Sequence, residues 1–155
     1  MKKLFLILVT TIAFSACTKK DDDKNSKISQ PEEVVRSFVQ LSSNAKELKD
    51  KLVLSQMCTG EMKSALEQMP DEQFRLFYLN GNLKIQELKI LSATMDKAIA
   101  KVHYQVIVEN KQGTDITKES NEREAELKER PDGWFIETIR TKGMDKLVFT
   151  KGMIF

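Results

Sequence analysis

The stretch Ala98-Ile99-Ala100-Lys101-Val102-His103-Tyr104-Gln105-Val106-Ile107-Val108-Glu109 decides how this chain folds. Ala98, Ala100, Val102, Tyr104, Val106 and Val108 fall on one side of an extended strand, and Ile99, Lys101, His103, Gln105 and Ile107 on the other. A period of two is the mark of a strand with one buried face. Downstream, Asn110-Lys111-Gln112-Gly113 reads as a hairpin turn and 114–129 as a long polar strand. Arg130-Pro131-Asp132-Gly133 is a second turn, and Trp134-Phe135-Ile136-Glu137-Thr138-Ile139 a further strand. Upstream, residues 83–92 form a first strand, with Asp96-Lys97 in the turn that follows.

Before Gly81 the period is 3.6. Pro31-Glu32-Glu33 opens a helix that Ser29 can cap; proline suits a first turn and acids suit the positive helix end. Val34, Phe38 and Leu41 recur at helical spacing, and Ser42-Ser43-Asn44 ends the run. A second helix over 45–57 places Ala45, Leu48, Leu52 and Val53 on one side. Thr59 offers an N-cap to a short third helix with Met62, Leu66 and Met69. Pro70-Asp71-Glu72 starts a fourth, turning Phe74, Phe77 and Tyr78 inward, and Asn80-Gly81 stops it. Helices followed by a meander of strands predict an α+β domain, with the helices on one face of an antiparallel sheet.

This element order, the Asp-Lys-Ala turn at 96–98 and the Pro-Asp-Gly-Trp turn at 131–134 resemble nuclear transport factor 2-like domains over roughly residues 30–142. The likeness extends to small envelope lipoproteins of that fold. It implies a curved, cone-like sheet around a ligand hollow. The wider group holds ketosteroid isomerases, polyketide cyclases and non-catalytic binding modules, so fold alone assigns no activity.

Strand pairing brings polar residues to that hollow. If Asn110 faces Gly113, then Tyr104 faces Glu119, Val102 faces Asn121 and Ala100 faces Arg123. If Glu129 faces Trp134, Arg123 faces Arg140. Tyr104, Glu119, Asn121, Arg123 and Arg140 then rim an apolar hollow as candidate ligand-binding residues. Two adjacent arginines call for an anion between them, either Glu119 or a bound carboxylate or phosphate. One β-bulge would turn these assignments over. The other face, with Ile99, Ile107, Phe135 and Ile139 among charges, is a candidate homodimer surface.

No nucleotide loop, nucleophile elbow or zinc-protease helix occurs, so no catalytic residue and no cofactor is assigned. His103, the one histidine, lies opposite the apolar stripe. Cys17 and Cys58 are the only cysteines, too few with that histidine for a zinc site built from such ligands.

The N-terminal residues supply an address. Met1-Lys2-Lys3, an apolar run and Ser15-Ala16-Cys17 make a secretory signal over 1–16, too short for a bilayer span of roughly 20 apolar residues. Phe14-Ser15-Ala16-Cys17 resembles the bacterial lipobox, with Phe in place of the commoner Leu. The resemblance implies acylation of Cys17 and attachment to a membrane, for which two or more chains anchor durably. The alternative is an ordinary secretory signal with a chance cysteine at the cut.

Residues 17–30 are then the lipidated cysteine and a charged tether, and 31–155 a single domain. Lys19-Lys20-Asp21-Asp22-Asp23 resembles the export signal of some Bacteroidetes lipoproteins, which implies surface exposure; outer-membrane attachment is the default. Removing Lys2 and Lys3 lowers the 25 cations to 23, equal to the 23 acids, so nothing points to nucleic acid. The sequence thus favours a lipid-anchored, non-catalytic module for a small ligand or an envelope protein. The alternative is a small isomerase- or cyclase-type enzyme using the cone. The placement of residues 143–155 is left open.

Overall fold

The computed structural model describes residues 30–144. Four helices precede four strands: α1 Pro31–Asn44, α2 Asp50–Gln56, α3 Gly60–Gln68, α4 Asp71–Tyr78, β1 Leu83–Asp96, β2 Ile99–Gln112, β3 Asp115–Arg130 and β4 Gly133–Thr141. The strands form one antiparallel meander in the order β1-β2-β3-β4. The helices cover one face of this sheet, giving the α+β architecture read from the sequence. Ser29 and the apolar tail after Leu147 lie outside the described residues; the α1 N-cap position is Gln30.

Bulges curve the sheet. The register slips by one at Gln86 and at Leu91 in β1, and again at Glu137 in β4. Each extra residue bends its strand and deepens its twist. The concave inner face meets α1 through Val34, Val35, Phe38 and Val39, and it meets α3 and α4 through Met62, Leu66, Phe74 and Tyr78. Phe74 and Tyr78, one helical turn apart, stack with ring centroids 4.6 Å apart. Fully burying a side chain of this kind contributes about 1.5–3 kcal/mol.

The second helix departs from the expected pattern. It begins only at Asp50, because the Asp50 carboxylate accepts hydrogen bonds from the backbone N–H groups of Lys46 and Glu47, at 2.7 and 3.0 Å, and holds 46–49 as a turn. Its buried side is Leu54 and Ser55, leaving Leu52 and Val53 largely exposed. The loop after it lies against the β4 edge. Thr59 N–H donates to the Ile136 carbonyl and Ile136 N–H to the Met57 carbonyl. Gly60 starts α3 with φ 50°, and a Cβ there would run into the Glu137 carboxylate. Cys58 is buried in this seam.

Candidate functional site

Two residues of the expected hollow do come together. Tyr104 and Arg123 are cross-strand partners on the inner face, and both are buried. Tyr104 therefore faces Arg123, not Glu119; Val102 faces Ala125 and Ala100 faces Leu127. The cause is the turn. Gly113 has φ 62° and sits inside the two-residue connection with Thr114, so Gln112 faces Asp115. A glycine with positive φ is worth more within a hairpin turn than beside it. Each partner moves by four, an even number, so the faces are kept. Asn121 stays half-buried opposite Val106, while Glu119, opposite Val108, lies exposed at the rim.

Arg140 does not join them. Glu129 faces Trp134 as the sequence suggested, but the bulge at Glu137 advances the pairing by one. Arg140 then stands opposite Glu124 on the outer face, and its guanidinium reaches Glu61 of α3 at 3.3 Å. The same slip turns Ile139 inward, where it is fully buried, and removes it from the outer surface on which the sequence had set it.

The inner face is packed with side chains. Ala100, Val102, Tyr104, Val106, Ala125, Leu127 and Ile136 show no exposure. Burial pushes the Tyr104 hydroxyl well above its ordinary pKa, against a smaller opposing pull from the nearby Arg123 cation. Burial likewise raises Tyr78 and Cys58. These groups stay protonated at neutral pH. Arg123 is itself shifted downward by burial, with Tyr104 opposing, and donates to the Glu122 carbonyl at 3.1 Å. Among the described residues the buried polar ones are Ser42, Ser55, Thr59, Arg123 and Thr138.

The outer face carries the charge. Glu122, Glu124 and Glu126 form a column along β3, between Lys101 and His103 of β2 and Arg140 and Lys142. Glu122 accepts from His103 Nε2 at 3.1 Å and lies 3.5 Å from Lys142 Nζ. Lys101 lies 3.9 Å from Glu126, and Lys128 2.9 Å from Glu137. A groove of about 380 Å³ opens here, lined by Lys101, Glu124, Glu126, Thr138, Arg140 and Lys142 among others. The alternating acids at 122, 124 and 126 were legible as a period of two, but only the bulge brings Arg140 beside them.

No protein-family model matches the sequence, and no curated protein matches it either. Several solved structures share the fold. A SEC-C motif containing protein from Rhodopseudomonas palustris superposes with TM-score 0.52 at 12% identity, over 72% of this chain and 77% of that one. The intermembrane space region of the chloroplast protein ARC6 gives 0.51 at 13% identity, over 71% and 92%. An NTF-2-like protein of unknown function from Shewanella oneidensis MR-1 gives 0.39 at 15%, over 71% and 97%.

Proposed function

We propose that this protein is a non-catalytic binding module, of the envelope lipoprotein kind with a nuclear transport factor 2-like cone. Lipid on Cys17 holds it to a bacterial membrane, the outer membrane by default, and it recognises an envelope protein through the outer face of its sheet. The observation that carries this reading is the division of labour between the faces. The inner face is filled by its own side chains, whereas the outer face opens a charged groove between β3 and β4. A general base in a cone needs a tunable carboxylate or imidazole. Here Glu119 is exposed, and His103 sits on the outer face against Glu122. Alternating acidic and basic columns suit a partner of complementary charge, where such patterns govern specificity and encounter rate.

Two experiments test the halves separately. Labelled palmitate should enter the wild-type chain and not Cys17→Ser, and label in the mutant would refute the lipid anchor. A thermal-shift screen of carboxylates, phosphates and sterol-like acids should leave the melting temperature unchanged. A ligand at a hundredfold excess over its dissociation constant would stabilise by about 2.7 kcal/mol. Such a shift, lost in Arg123→Ala, would restore the ligand or enzyme reading.

A further inference from the structure

Strand β4 ends in a turn that folds the chain back over the outer face. Met144 N–H donates to the Thr141 carbonyl at 2.9 Å, and Gly143 takes φ 78° inside that turn. Such a hydrogen bond marks a chain reversal. Gly143 and Met144 line the outer groove together with Arg140 of β4, Glu124 of β3 and Lys101 of β2. The next residues, 145–155, therefore start at the mouth of this groove, handed back along β4.

The groove changes character along its length. Near the turn it is charged, with Glu124 and Glu126 against Lys101, Arg140 and Lys142. A second hollow of about 270 Å³ shares Lys101 and Glu126 with it and continues it to Ile99, which is 42% exposed. There Ile99 and Phe135 flank Lys128 from the two neighbouring strands, and the Lys128 ammonium is held by Glu137 at 2.9 Å. The sequence after Met144 has the same order, Asp145 and Lys146 first and then Leu147, Val148 and Phe149. The lengths agree as well. From Arg123, which faces Thr141, to Lys128 is about 17 Å of strand at roughly 3.3 Å per residue. An extended chain covers about the same distance between Met144 and Phe149.

We infer that the outer groove is the seat of residues 145–155 of this same chain, laid back over β3 and β4 as a strap. Asp145 meets the cations Lys101 and Arg140, Lys146 meets the Glu124 and Glu126 carboxylates, and Leu147 to Phe149 cover Ile99 and Phe135. The short turn keeps the segment at an effective concentration on the order of millimolar, so weak contacts suffice. The inference rests on the outer-face recognition reading and adds its regulation. A partner enters by displacing the strap, and so presents the same order of charged and then apolar side chains in an extended segment.

The test uses the full chain in the producing cell, with a benzophenone amino acid in place of Phe149, an aromatic for an aromatic. After irradiation, peptide mapping should join position 149 within one chain to β2 or β4 near Ile99 and Phe135, and not to the β2–β3 turn beside Ile116. Leu147→Asp with Val148→Asp should abolish that link. Links within one chain that scatter or map elsewhere overturn the docking. Links found only between two copies, or only to another protein, overturn it too. A second arm carries the benzophenone at Glu124. There the chain with Leu147→Asp and Val148→Asp should give more partner adduct than the wild type, and an equal or lower yield overturns the regulation. No adduct from position 124 in either chain overturns the recognition reading, while the link from position 149 still decides the docking.

Discussion

Along β2 the even positions from Ala100 to Val108 are buried, while the odd positions from Ile99 to Glu109 are half-buried or exposed. One strand thus serves two surfaces with unlike energetics. Inner residues touch helices, and each removal leaves a void. Outer residues meet water and their charged neighbours, where pairs are solvated and individually weak. Stability resides on the inner face, and the charges of the outer face contribute little to it.

The largest expected effect is on the inner side. Phe38→Ala, at a fully buried position, should cost about 3–5 kcal/mol in denaturant unfolding. A loss below 1 kcal/mol would mean that the helices do not seal the sheet. Next comes the turn that sets the register. Gly113→Ala places a Cβ at φ 62° and should cost roughly 1 kcal/mol or more, whereas Thr114→Ala should be nearly neutral. Equal costs would argue against the Gln112 to Asp115 register.

How much of this was legible in the sequence follows from parity. The alternation in 98–109 determined which side of β2 is buried, and an error of two residues in the turn left Asn121 and Arg123 on the correct face. Arg140 and Ile139 were misplaced because a single bulge at Glu137 changes parity, and Glu137 looks like any other polar strand residue. The bulge becomes intelligible only with the α2–α3 loop laid along β4, a contact between segments some eighty residues apart. In α2 the mistake was of phase. Leu52, Val53 and Leu54 are consecutive and apolar, so spacing alone could not say which of them turns inward. The turn held by Asp50 delays the helix, and Leu54 is the one buried.

Smaller effects belong to the outer face. Glu122→Gln removes the carboxylate charge that faces His103 and Lys142 and should cost only about 0.2–1 kcal/mol, less at high salt. A loss several times larger would show that the outer ladder is structural. The smallest effect concerns Asp50. Hydrogen bonds from the Lys46 and Glu47 amides hold its carboxyl below the ordinary range. Its folded pKa is thus lower than its unfolded one, so its contribution is present above the unfolded value and lost as pH falls through the folded one. The acid limb of a stability–pH curve should be slightly shallower in Asp50→Asn than in the wild type. Identical limbs would deny the turn its role.

The central claim is that recognition belongs to the outer face and not to the inner rim. Photo-crosslinking in the producing cell tests it most directly, with the reactive amino acid at Glu124 in the outer groove or at Glu119 on the inner rim. The account predicts a discrete adduct from position 124, weakened by salt and abolished by Arg140→Glu, and none from position 119. An adduct from position 119 with none from 124 would contradict it.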